Sequence, residues 1–226
     1  PVVACLLSLV VMLFVLRKWR ILLFSAATVL FAGSYLMISQ PDIGDRFAST
    51  FSPKTYALAL DTKHYQPTEG FAARMPIWFG VLEITASRSL TGYGFGWKKL
   101  GKTAVEGGFV ARWQAQENNA FAKEQAWYFS LPSSKVNPHN LYLQIYFESG
   151  MLGLAAYLLM LLALFWQALH LAWCAREERR IIAAVALAYL VSHVTLALAN
   201  GLWIGLGPSL ALIALLETVR RSEKPA

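Results

Sequence analysis

From Met151 to Leu171 the chain runs without a single Asp, Glu, Lys or Arg. A membrane-spanning helix needs about 20 predominantly apolar residues, and this run supplies them. Val2–Leu16, Ile21–Ser39, Ile181–Ala199 and Leu202–Val219 read the same way, the first of them shortened. Hydrophobic residues make up 57% of the whole chain, against about 45–50% in a soluble domain. The expected fold is an all-α polytopic membrane protein. It would have about five transmembrane helices and one large, partly helical extracytoplasmic insert. Residues 1–39 would hold two spans, 40–149 the insert and 150–226 three more spans. The chain opens on Pro1 inside an apolar run, without the basic start or small-residue cleavage site of a signal peptide. It reads as a fragment that lacks an N-terminal part.

The net charge of +7 first suggests nucleic acid. Its distribution argues against that partner. The basic residues cluster in short connections beside apolar runs: Arg17-Lys18-Trp19-Arg20, Arg176 to Arg180, and Arg220-Arg221 with Lys224. With five spans these connections fall on one side, which the positive-inside rule makes cytoplasmic. The polar segment Gln40–Asn137 and the turn near Asn200 are then extracytoplasmic. Gly201, Gly205, Gly207 and Pro208 would allow a broken or re-entrant helix in the last hairpin. Cys5 and Cys174 are isolated from each other, so neither a disulfide nor a metal site is implied.

The insert is rich in aromatic residues, among them Tyr65, Trp78, Trp97, Trp113, Trp127 and Tyr128. It can therefore bury surface and is not a disordered linker. Thr68 with Gly70 marks a helix start, and Ala72–Ala86 reads as an amphipathic helix with Ile77, Val81 and Ile84 at helical spacing. Pro76 is tolerable in its first turn. Gly92-Tyr93-Gly94-Phe95-Gly96 ends that region as a tight turn, and Ala111–Phe129 predicts a second helix.

The stretch Pro138-His139-Asn140-Leu141 leads into the apolar run at Gly150, so a titratable His stands at the mouth of a span. His139 to Leu171 as one straight helix would measure about 50 Å, whereas the hydrocarbon core is about 30 Å thick. Gly150–Leu171 fills that core alone, and His139 would project about 16 Å beyond it. Glu148 would then lie near the interface, with Gln144, four residues earlier, as its hydrogen-bond partner. A separation of nine residues puts Glu148 half a turn out of phase with His139, which argues against a dyad.

Two segments together resemble the O-antigen ligase and O-antigen polymerase superfamily. Arg74-Met75-Pro76-Ile77-Trp78, followed by Leu90-Thr91-Gly92-Tyr93-Gly94-Phe95-Gly96, is similar to the family's Arg-x-x-x-Trp helix and Gly-x-Gly-x-Gly turn. His139-Asn140-Leu141-Tyr142-Leu143, followed by Glu148-Ser149-Gly150-Met151-Leu152-Gly153, is similar to its His-Asn-x-x-Leu stretch and the Glu-x-Gly-x-x-Gly at a span entrance. The order matches, as does the placement on one large outer loop. The resemblance covers about Arg74 to Gly153 and implies a C-terminal half. The family's further Arg, from an earlier extracytoplasmic segment, has no clear counterpart, and Arg46 substitutes for it poorly.

The resemblance implies glycan transfer from an undecaprenyl diphosphate carrier to an acceptor, on the periplasmic face of the bacterial inner membrane. In a ligase the acceptor is a lipid A–core sugar. In a polymerase it is another lipid-linked glycan, and in a protein O-oligosaccharyltransferase a protein hydroxyl. A sugar hydroxyl is a poor nucleophile, and a neutral His can take its proton as the new bond develops. A diphosphate leaves without an acid if its charge is neutralised, and Arg offers a planar, permanently charged fork for phosphate oxygens. His139 is therefore the expected general base and Arg74 the expected diphosphate clamp. Arg88, Lys98, Lys99, Lys102, Trp78 and Asn140 are the further expected substrate contacts. Neither a cofactor nor a metal is expected. The plainer readings are a capping His139 and an Arg74 that stacks on Trp78. A lipid-linked sugar transporter is the first competing function, but it would carry charge inside its spans and have short loops. A non-catalytic membrane fragment is the second.

Overall fold

The structure is a computed structural model that describes residues 2–40, 52–61, 65, 72–174 and 177–200. Among these residues every regular element is helical. In chain order they are α1 (Val2–Val15), α2 (Trp19–Ser39), α3 (Pro53–Leu60), a 3-10 turn (Ala72–Arg74), α4 (Met75–Ala86), α5 (Lys99–Glu106), α6 (Phe109–Gln114), α7 (Ala120–Phe129), α8 (Leu141–Cys174) and α9 (Glu177–Ala197). The chain divides into two compact units. One contains α1, α2 as far as Phe31, α8 from Ala155 and α9. The other contains Ala32–Leu154 together with Ala199.

In the first unit α8 and α9 are long and apolar enough to cross a membrane, while Val3–Val15 and Trp19–Tyr35 form shorter apolar helices. The expected fifth span, Leu202–Val219, lies outside the described residues, as do Arg46 and the helix start at Thr68 and Gly70. α1 packs on α9. The buried face of α9 is mostly small: Ala183, Ala184, Ala186 and Ala197 accompany Leu187 and Leu190. Small residues let helix backbones approach closely where lipid offers no hydrophobic drive for association. Leu158, Leu159, Leu162 and Trp166 of α8 face outward, as suits contact with lipid tails. His193 of α9, a polar group within an apolar helix, meets the Tyr157 hydroxyl of α8 at 2.6 Å and stacks on Tyr189. That supplies a helix-to-helix hydrogen bond for a half-buried imidazole.

The second unit is built around α4. Ile77, Val81 and Ile84 are buried, as their spacing predicts. Pro76 sits in the first turn of the helix, where its missing N–H costs nothing. The core continues through Leu100, Ala104, Val110, Trp113, Phe129, Val136 and Phe147. Gly80 lets Phe129 of α7 close on α4, since a Cβ there would stand 2.5 Å from the Phe129 ring. The helix predicted over Ala111–Phe129 is in fact two. Ala115 to Asn119 interrupt it, and the Asn119 side-chain oxygen accepts the Ala122 N–H at 3.1 Å. Asn competes for backbone donors in this way and starts helices more readily than it continues them.

The straight helix predicted from His139 is also broken. Gly150, inside α8, adopts φ 65° and ψ −165°. This conformation is suited to Gly. In an unbroken helix the N–H groups of Met151 and Leu152 would bond to the carbonyls of Phe147 and Glu148. Instead, the turn after α4 inserts between them. Tyr93 N–H donates to Phe147 O and Gly94 N–H to Glu148 O, both at 2.8 Å. Met151 N–H donates to Ser89 O at 2.7 Å and Leu152 N–H to Leu90 O at 3.3 Å. These four freed groups are thus satisfied, as buried backbone groups must be at the start of an apolar run. The projection of about 16 Å for a straight helix does not hold in this geometry.

Candidate functional site

The two chain segments singled out from the sequence meet in the second unit. Arg74 ends the 3-10 turn and enters α4, and His139 lies just before α8. His139 is half-buried. Its imidazole is held below the usual histidine range, first by burial and then by the positive charge of Arg74. A neutral imidazole is the form that can accept a proton. Arg74 is itself half-buried, and its Nη1 donates to the Ala199 carbonyl at 2.7 Å. A guanidinium carries five N–H donors, and among the described residues this bond engages one of them.

The loop carrying His139 is held residue by residue. The Trp78 indole N–H donates to Pro138 O at 3.0 Å. The Tyr128 hydroxyl donates to Asn137 O at 2.6 Å and accepts the Asn137 N–H at 3.0 Å. Asn137 Oδ1 accepts the His139 N–H at 2.7 Å. His139 has φ 51°, in the left-handed region, which costs a non-glycine residue about 1–2 kcal/mol. Conformations of this kind persist where the surroundings over-determine them, often at functional sites. The Tyr128 ring centroid lies 6.4 Å from that of His139, and Arg74 acts on Tyr128 through its charge as well.

The other expected contacts divide. Trp78 holds the His139 loop through its indole N–H. Asn140 is buried, and its Oδ1 accepts the Leu143 N–H at 3.1 Å, capping α8. Arg88 is exposed and lies over the Tyr93 ring, 5.0 Å from its centroid, while Tyr93 stacks on Phe147. Lys99 curls back over the glycine turn, so that a Cβ on Gly94 would be 3.2 Å from its Nζ. Lys102 pairs with Glu106 at 3.7 Å. Gln144 Nε2 donates to Glu148 Oε1 at 3.0 Å inside the protein, as their spacing predicts. Sequence reasoning missed Tyr128 and Asn137, which it read only as an aromatic of the insert and the end of a loop. The Asn137-Pro138 dipeptide, a turn initiator, was the available signal.

Gly92, at φ 67°, marks where the two motifs touch. A Cβ there would meet Phe147 O, the Glu148 carbonyl carbon and Ser149 N, each at 2.6 Å. On Gly150 a Cβ would collide with the Leu90 and Thr91 backbone. The glycine turn and the Glu-Ser-Gly segment are thus two halves of one joint. The family model described as O-antigen ligase matches residues 1–158, which include this joint.

The chain belongs to the O-antigen ligase family. Membership implies a membrane-associated, glycosyltransferase-like activity that uses lipid-linked glycans, in keeping with the apolar helices. No curated protein and no solved structure matches the chain.

Proposed function

We propose that this O-antigen ligase family member transfers a glycan from undecaprenyl diphosphate to an acceptor hydroxyl, with His139 as general base and Arg74 as diphosphate clamp. The observation that carries the reading is the junction of the two segments at His139: Trp78 of α4, one turn beyond Arg74, donates to Pro138 O at 3.0 Å, and the charge of Arg74 reaches the imidazole. The acceptor oxygen attacks the anomeric carbon, and its proton passes to His139. The bond between that carbon and the diphosphate oxygen breaks, and the electron pair leaves with the diphosphate, whose negative charge faces Arg74. Attack by the acceptor opposite the leaving group inverts the anomeric centre. The acceptor we favour is a lipid A–core sugar, and the reaction runs on the periplasmic face of the inner membrane. Lys99, beside the glycine turn, and Arg88, over Tyr93, are secondary contacts for phosphate or headgroup.

The test is glycan transfer in a strain without its own ligase, read on a lipopolysaccharide gel. Capped lipopolysaccharide with the wild-type protein, and bare core with His139→Ala or Arg74→Ala at equal membrane levels, is the expected result. Capping that survives either substitution removes that residue's role. Bare core with every variant, wild type included, moves the acceptor to another lipid-linked glycan or a protein hydroxyl.

A further inference from the structure

Tyr128 touches the site from a helix that neither motif includes. Its ring belongs to the core, edge-on to Phe129 at 5.5 Å, and the residue is only 8% exposed. Its oxygen does something the core does not need. It takes both backbone groups of one residue, donating to Asn137 O at 2.6 Å and accepting Asn137 N–H at 3.0 Å. Asn137 in turn holds the His139 N–H through Oδ1 at 2.7 Å. Two hydrogen bonds to one loop residue fix its peptide planes, and the third passes that constraint to the left-handed His139. Burial pushes the Tyr128 phenol above its ordinary range, so the hydroxyl remains a donor at any working pH.

We infer that Tyr128 is the positioning residue for His139: its hydroxyl clamps Asn137 and thereby holds the His139 backbone in its left-handed conformation. This rests on the reading of His139 as the base. Tyr128 acts through Asn137, which engages its hydroxyl as both donor and acceptor. Arg74, from the 3-10 turn, acts on His139 through its charge, and the Tyr128 ring, from α7, lies 6.4 Å from the imidazole.

Tyr128→Phe keeps the ring and deletes the clamp. In the intact membrane protein, purified with a lipid-linked donor, the variant should fold and insert like wild type. Its kcat should fall by about 10- to 100-fold, the scale of a small misplacement at a reacting centre. Its donor KM should change by less than about threefold, because binding elsewhere is untouched. The His139 imidazole, followed by NMR with ring-labelled histidine and assigned with His139→Ala, should titrate closer to the ordinary value as the loop opens to water. The acid limb of the pH–rate profile should move to higher pH with it. Asn137→Ala should do the same, and the double variant should be no worse than either single one, as expected of parts of one clamp. Wild-type kcat with an unmoved imidazole in Tyr128→Phe overturns the inference, as does full additivity in the double variant. Wild-type transfer by His139→Ala sinks the base reading by itself. The clamp is then judged by the imidazole titration, which moves in Tyr128→Phe if the clamp exists and stays put if it does not.

Discussion

Gly92 and Phe147 share a space that admits only bare backbone: a Cβ on Gly92 would lie 2.6 Å from the Phe147 carbonyl oxygen. That oxygen accepts the Tyr93 N–H, and the helix carrying it breaks three residues later at Gly150. The family's two motifs are therefore a single mechanical object. The turn that follows α4 is welded into the break that precedes the apolar run, which ties the helix that Arg74 leads into to the helix preceded by His139.

The joint predicts an asymmetry among left-handed glycines. Gly108 has φ 71° and open space around its Cβ position, so Gly108→Ala should cost about 1 kcal/mol for conformation alone. Gly150→Ala adds a collision with the Leu90 backbone, which cannot yield without breaking the cross-segment bonds. Its cost should reach about 3 kcal/mol or more once that overpacking is added. Melting of the two variants in detergent checks this, and equal costs would refute the joint.

The pH dependence follows from His139. Its pKa in the folded protein lies below the ordinary 6.5, through burial first and Arg74 second. The base therefore stays neutral, and transfer persists, some way below pH 6.5. Activity is lost as pH falls through the depressed value. The sign for stability is the same. The unfolded chain binds the proton more readily, so this group's contribution is complete above the unfolded pKa and disappears as pH drops through the folded one. Arg74→Gln removes the second cause, and the acid limb of its residual activity should move to higher pH. A limb that does not move would separate Arg74 from His139.

Arg74→Lys tests shape against charge. Lys keeps the positive charge but loses the planar fork and cannot hold both the Ala199 carbonyl and a diphosphate in one plane. We expect kcat/KM for the donor to fall by at least about tenfold, equivalent to about 1.4 kcal/mol. Steady-state kinetics with a fixed acceptor measures it. Full activity in Arg74→Lys would reduce the clamp to a point charge.

Glu83 of α4 holds two residues of α6. Its Oε2 accepts the indole N–H of buried Trp113 at 2.9 Å, and its Oε1 pairs with exposed Arg112 at 3.5 Å. Glu83→Ala strands a buried donor and should cost about 1–3 kcal/mol. Arg112→Ala removes only an exposed ion pair, worth about 0–1 kcal/mol, together with a contact on the Phe109 ring. Denaturant melts should rank Glu83→Ala as the more damaging, and the reverse order would show that the ion pair, not the indole bond, matters.

The sequence by itself determined whatever depends on local periodicity. The uncharged runs gave α8 and α9, Ile77, Val81 and Ile84 gave the buried face of α4, and the i, i+4 spacing gave the Gln144–Glu148 bond. These follow from helix geometry and hydrophobic pattern, which neighbouring residues specify. The pattern misled where a local rule was overridden from afar. Nothing within α8 announces a break at Gly150, because Gly is also common in spans and the bonds that compensate for the break come from Ser89 to Gly94. Nor does any local pattern bring Tyr128 to Asn137, or turn a half-buried Arg74 toward Ala199. The tertiary structure decided those. The left-handed His139 and the broken helix are each unfavourable alone, and both persist because hydrogen-bonding groups from distant segments meet there and over-determine the backbone.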